Sequence, residues 1–282
     1  VIIVDTKEII NDIVNSIPKY MELLNTESQS SKTYAMKSSI KGKVEYTSKE
    51  DKSYNSTVNL SGTVNTNVTE NAIALDLTLK LTGKGELYNT IKENQLTSIT
   101  LNIIISDEKV YLKNSALQEM TKGKWLAYEN DSLKDTFALM KEETISFEKL
   151  LDVDEELLTV DTYQSLKMVS TVLKALLKDE NIQITEKGST KTYTMTMKLS
   201  DIKNILKEMD EVEELDNYDA SVKTTTTLKN NVVQTSGNEV KFEYKEGMES
   251  VNVSLNIDGK VAKSNSISIP SESQIMDTDE IS

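Results

Sequence analysis

The stretch Ile73-Ala74-Leu75-Asp76-Leu77-Thr78-Leu79-Lys80-Leu81-Thr82 decides the fold class. Every second residue is Ile or Leu, and the residues between are small or polar. A period of two puts one side of an extended strand against apolar neighbours and the other in water. A helix would scatter the same five side chains around its circumference. Gly83 and Gly85, just beyond, predict a bulge or bend.

Working outward, the pattern recurs. Met36, Ile40, Val44 and Tyr46 share one parity, as do Val58, Leu60 and Val64, and Ile99, Leu101, Ile103 and Ile105. Asp107-Glu108 reads as a tight turn into Val110-Tyr111-Leu112-Lys113, and a short strand follows Gly123 at Trp125-Leu126. Alternation resumes at Tyr193, Met195, Met197 and Leu199, then at 222–228, at Val240, Phe242 and Tyr244, and at Val251, Val253, Leu255 and Ile257. Asp258-Gly259 predicts a type I′ hairpin turn. Ile267 and Ile269 predict a last edge strand, ended by Pro270. Residues 271–282 read as a loose polar tail.

Helical spacing marks the rest. Residues 6–24 carry Ile9, Ile10, Ile13, Val14, Ile17, Met21 and Leu24 at three- and four-residue steps, with Pro18 predicting a kink or a fresh start. Residues 132–142 and 147–151 suggest short helices. Residues 162–178 give the widest apolar stripe, with Leu166, Val169, Leu173 and Leu177. A further helix over 202–209 would be capped by Ser200-Asp201. No linker divides the chain, so residues 1–270 read as one α+β domain. Its expected form is a strongly curved antiparallel sheet, a half-barrel, with helices covering the apolar concave face.

Composition narrows the function. The 282 residues include no histidine, no cysteine and no arginine; all 32 basic residues are lysine. The common proton shuttle, the thiolate and the bidentate anion clamp are thus missing. A net charge of -14 opposes nucleic acid as a partner. Sugar clefts usually use aromatic platforms, and here there are 1 Trp and 3 Phe. No Ser-x-x-Lys arrangement or glycine-rich phosphate loop stands out. The acidic stretch with Asp210, Glu211, Glu213, Glu214, Asp216 and Asp219 offers oxygen ligands but lacks the spacing and glycine of an EF-hand loop. It reads as a solvated helix end, as do Asp152, Asp154, Glu155 and Glu156. No catalytic residue, metal site or cofactor is expected.

No apolar run is long enough to span a bilayer. The opening Val1-Ile2-Ile3-Val4 fits either a chain beginning after a removed targeting segment or a first strand. Abundant Lys and Asn without Arg suggest an AT-rich genome, such as that of a low-GC Gram-positive bacterium.

Val110-Tyr111-Leu112-Lys113 leading to Gly123-Lys124-Trp125, the segment 199–206 and the ending Ile267-Ser268-Ile269-Pro270 resemble bacterial envelope lipoproteins of the LppX/LprG type and the wider LolA-like fold. The resemblance implies a curved half-barrel with helices in its concavity and an extracytoplasmic, cell-envelope location. It also implies a membrane attachment made only through an upstream lipid anchor. Several relatives hold acyl chains between sheet and helices, and no catalytic motif carries over.

The long aliphatic stripes admit two readings, a filled core or a partly open apolar cavity. On the second, the lining is Leu75, Leu77, Leu79, Leu101, Ile103, Met195, Met197, Val253 and Leu255, closed by Leu166, Val169 and Leu173. The expected partner is then a lipid or other apolar small molecule. On the first, the chain is a ligand-free structural or interaction domain that meets an envelope protein. Trp125 is expected to anchor the sheet edge; Tyr111 and Tyr128 are candidates for the cavity mouth.

Overall fold

The computed structural model describes residues 6–28, 32–129, 160–208, 214–277 and 279. The expected helices at 132–142 and 147–151 and the carboxylates at 152–156 and 210–213 lie outside them.

The fold is α+β, dominated by one open antiparallel sheet of 11 strands. In chain order the strands are β1 (Tyr34–Ser48), β2 (Ser56–Val68), β3 (Ala72–Lys84), β4 (Ser98–Ser106), β5 (Lys109–Asn114), β6 (Leu126–Glu129), β7 (Ile182–Lys187), β8 (Thr190–Lys198), β9 (Tyr218–Lys229), β10 (Val232–Glu246) and β11 (Glu249–Ala262). Their order across the sheet is β6-β5-β4-β3-β2-β1-β11-β10-β9-β8-β7. Two meanders therefore meet in the middle, where the first strand pairs with the last. The helices are α1 (Thr6–Ser16), α2 (Pro18–Ser28), α3 (Glu86–Glu93), α4 (Gln118–Thr121), α5 (Val160–Leu176) and α6 (Lys203–Lys207).

Register carries the sequence parity into three dimensions. Leu101 pairs with Leu77, Leu77 with Val64, Val64 with Ser38, and Ser38 with Gly259. From there the row runs through Ser236, Thr226, Tyr193 and Ile184. Paired residues point to the same side, so the alternating stripes of separate strands merge into one apolar face. The opposite face carries Thr, Lys, Asn and Glu. A register shift between Val233 and Thr235 in β10 flips the parity locally. It returns Val233 to the apolar side, where it packs near Leu23 of α2.

Helices cover that face at one end. Ile13 of α1, Ile17 between α1 and α2, and Leu177, just past α5, pack on Ile182 and Met195. Leu23 packs on Tyr193 and Leu228. Pro18 opens α2, where its missing N–H is harmless. The cover is tied down by polar contacts. Lys174 of α5 reaches Asp12 of α1 at 2.7 Å. Glu22 of α2 accepts from Lys191 and, at 3.1 Å, from the Tyr193 hydroxyl. Asn181 donates to the Leu176 carbonyl and to Asp201, each at 2.9 Å. Among the described residues, these buried clusters lie over β7–β9.

Several local expectations change. Asp258 and Gly259 do not turn; they lie inside β11, opposite Ser39 and Ser38. A side chain at Gly259 would meet Ser38 Oγ at 2.5 Å, so close approach explains this glycine. The I′-type turn is Asn230-Asn231, with φ of 51 and 63 between the paired Lys229 and Val232. Asp201 does not cap a helix; it binds Asn181 and Lys178 instead. Helix α3 was not expected; it follows Gly85, whose φ of 96 suits glycine. Ile267 and Ile269 form no strand. The supposed tail is docked at its start, because Trp125 N–H donates to the Gln274 carbonyl and Met276 N–H to the Trp125 carbonyl. Met276 is buried, and Ile267 and Ile275 pack with Tyr111, Ile104 and Ala72 on the polar side of β3–β6.

Candidate functional site

The apolar face supplies the candidate site. Beyond the helix-covered end, its rows cross six strands, β4, β3, β2, β1, β11 and β10. One row reads Ile99, Leu79, Gly62, Ile40, Ile257 and Asn238; the next reads Leu81, Leu60, Gly42, Leu255 and Val240. A third holds Val58, Val44, Val253 and Phe242. Most of these side chains are half-buried, while Ile40 and Val58 are buried and α3 packs against β2 and β3. The covered end differs: Ile182, Tyr193 and Leu228 are each 1% exposed. Six strands at about 4.8 Å spacing and about nine residues at 3.3 Å give roughly 800–900 Å² of sheet, in which Ser38, Gly259, Ser236 and Asn238 interrupt the apolar side chains.

Glycines shape the face. A Cβ on Gly62 would fall 1.9 Å from the Thr78 carbonyl oxygen, and one on Gly83 would fall 2.0 Å from that of Thr57. Both positions point to the apolar side, so β2 and β3 lean toward each other across it. Their cross-strand neighbours, Ile40 opposite Gly62 and Val58 opposite Gly83, are buried. Gly42 leaves room for Leu255, whose Cδ1 would lie 3.1 Å from an added Cβ.

The sequence-expected lining separates into two groups. Leu75, Leu77, Leu79, Leu101, Ile103, Val253 and Leu255 all lie on the open part of the face. Met195 and Met197 share the face but belong to the packed cluster under α1, where Leu173 also sits. Val169 points outward and is 44% exposed. Leu166 is half-buried on α5. In the strand order β8, on which this cluster is built, is six steps from β3, so α5 does not close over Leu75, Leu77 and Leu79. Tyr111 is buried on the opposite side of the sheet, where it lines a concavity of about 600 Å³ with Ala72, Ile267 and Ile269. Tyr128 is 51% exposed at the β6 edge.

The polar side is chemically distinct. Shallow concavities of about 290 and 420 Å³ lie there, lined in part by Lys43, Glu45, Lys241 and Glu243 and by Lys37, Thr225, Asp258 and Lys260. Lys241 pairs with Glu239 at 3.0 Å and Lys245 with Glu243 at 2.8 Å, and the first contact holds the Glu239 carboxyl below its ordinary value. These are solvated pairs on one strand, of little energetic weight. Among the described residues no group of three or more Asp or Glu is placed to hold a metal ion, and no helix is long and apolar enough to cross a membrane.

No family model and no curated protein matches the chain. A solved structure described as lipid-protein interactions in lipovitellin overlaps 87% of this chain at 9% identity and a TM-score of 0.33. The chain spans 27% of that protein's length. At that score the overlap bears on neither family nor ligand. The site rests on the sheet's own geometry.

Sequence reasoning missed α3 and the close approach at Gly42 and Gly62, and read Gly83 as a bulge or bend where β2 and β3 pair without a register shift. Gly42, Gly62 and Gly83 sit at apolar-parity positions, and that was the available signal: a glycine where Leu or Val is due marks a close backbone approach.

Proposed function

We propose that the chain is a non-catalytic binding protein of the extracytoplasmic cell envelope. Its apolar face would form a trough that holds an acyl chain or a similar lipid moiety. The observation that carries this reading is the merging of stripes from six strands into one aliphatic, half-buried expanse. Aliphatic walls with few hydrogen-bonding groups suit a flexible hydrocarbon better than a planar or polar ligand. Burying each methylene is worth about 0.8 kcal/mol before association costs, and a chain lying in an open trough with one side wet gains about half of that. The glycine crease at β2–β3 supports a trough over a flat surface. The envelope location follows the resemblance to LppX/LprG-type lipoproteins. The missing histidine, cysteine and arginine support a role without chemistry.

The rival is a ligand-free interaction domain, and the solid packing at β7–β9 favours it for that end of the sheet. Native mass spectrometry followed by organic extraction separates the two. The acyl reading expects a co-purifying lipid or saturable uptake of a fluorescent fatty acid. A clean apo mass at every purification, with no uptake, would overturn it.

A further inference from the structure

The side of the sheet turned away from the apolar face holds a second, smaller core. Ala72, Ile104 and Tyr111 are buried there, and Ile267 and Ile275 of the C-terminal segment pack on them. That segment is fastened by a reciprocal pair. Asn67 Nδ2 donates to the Asn265 carbonyl at 2.7 Å, and Asn265 N–H donates to Asn67 Oδ1 at 3.1 Å. The concavity of about 600 Å³ lies between this segment, the β2–β3 turn and the β4–β5 turn. Its volume is in the range of small-molecule sites.

One group in its wall is out of balance. Tyr111 is 6% exposed and lines the concavity, yet among the described residues its hydroxyl has no hydrogen-bond partner. Buried hydroxyls are nearly always bonded, because an unsatisfied one forfeits its hydration. Its cross-strand neighbours, Ile104 and Ala127, offer no side-chain partner. The concavity is where one can reach it.

Acceptors dominate the rest of the lining. Glu70 stands on the β2–β3 turn and Asp107 and Glu108 on the β4–β5 turn. Among the described residues none of the three carboxylates has an ion-pair partner. Both turns are braced: Thr69 Oγ1 accepts from Ala72 N–H at 3.1 Å, and Ser106 Oγ accepts from Lys109 N–H at 3.0 Å. Among the described residues no lysine lines the concavity. Lys32, Lys109 and Lys263 stand one residue outside the lining, and Lys109 faces Glu129 across β5 and β6. Ala72, Ile267 and Ile269 add an apolar wall.

We infer that this concavity binds a small organic amine. The ammonium donates to the Tyr111 hydroxyl oxygen and to the carboxylates around it, and the hydrocarbon body lies against Ile267 and Ile269. An anionic ligand would meet three carboxylates, and an alcohol would leave their charge unmatched. No three Asp or Glu among the described residues are placed to hold a metal ion. The net charge of -14 raises the local concentration of cations. The site is on the other side of the sheet from the proposed acyl trough and does not rest on that reading.

The test is calorimetric titration of the full chain with n-butylammonium chloride, beside 1-butanol and butyrate, with and without excess fatty acid. Expected is one saturable site per chain for the amine alone, unchanged by fatty acid. Tyr111→Phe should weaken it at least about tenfold, and so should Asp107→Asn combined with Glu108→Gln. Circular dichroism checks the fold. The double variant changes only exposed residues, so it decides the matter even if Tyr111→Phe unfolds. No saturable binding, butanol binding as tight as the amine's, or binding unaltered in the folded variants would overturn the inference. Displacement by fatty acid would place the amine on the apolar face and overturn it too. Fatty-acid uptake by the same variants keeps the two readings apart: uptake without amine binding sinks only this site, and amine binding without uptake sinks only the acyl trough.

Discussion

Tyr193 and Leu77 lie in the same cross-strand row of the same face. Tyr193 is 1% exposed beneath α2; Leu77 is half-buried, and among the described residues no buried cluster forms over it. The strands supply equivalent positions at both ends, so the sheet does not make the difference. Helices α1, α2 and α5 do, converting a half-wet face into a filled core where they reach it. The covered end is thus a filled core, and at the other end, among the described residues, the same face is half-buried.

Substitutions can break that comparison. The largest effect is expected at the covered end, where Ile17 is fully buried. Ile17→Ala should cost about 2–5 kcal/mol in urea unfolding; a loss below about 1 kcal/mol would mean that the cover contributes little. Next is the crease. Gly62→Ala drives a methyl into the Thr78 carbonyl and should cost about 1–3 kcal/mol. It should also lower fatty-acid uptake, and full retention of both would show that the crease is not needed. Smaller still is Leu77→Trp on the open face, expected to change stability by less than about 1 kcal/mol while displacing ligand. A loss as large as that at Ile17 would reveal a filled core there.

The smallest effect is electrostatic. Hydrogen bonding to Lys191 lowers the Glu22 carboxyl from its ordinary 4.5, against a smaller opposing effect of burial. For Asp201 burial alone would raise the carboxyl, but hydrogen bonds from Asn181 and Lys178 lower it below its ordinary 3.8. Depressed carboxyls bind protons more readily in the unfolded chain, so their contribution holds above these values and fades as pH falls through the folded ones. Lys191 is raised, so its share persists until the solution is strongly alkaline. Glu22 is 45% exposed, and solvent keeps its part small. Hydrogen exchange below about pH 4 should therefore loosen α2 before β1 and β2. Simultaneous loosening of all elements would count against a separable cover.

Much of this was legible in the sequence. The parity of Ile73 to Leu81 fixed which residues share a face, because backbone geometry allows only two sides and the bulge falls near one strand end. The reach of α5 was not legible, since periodicity gives a helix its apolar stripe but not its place on the sheet. Leu173 and Val169 sit on the same helix, one packed and one exposed. Asp258-Gly259 misled because its turn chemistry is local, whereas pairing along all of β11 is not. The docking of 271–277 hinges on backbone bonds to Trp125, which leave no pattern in side-chain type.

The seam between β1 and β11 has a kinetic meaning. Each meander can zip through short hairpins, but their union must close nearly the whole chain into a loop, the slowest kind of contact to form. During synthesis the first strand waits with an unpaired edge until the last one emerges, and that interval is when the nascent chain is most exposed to aggregation.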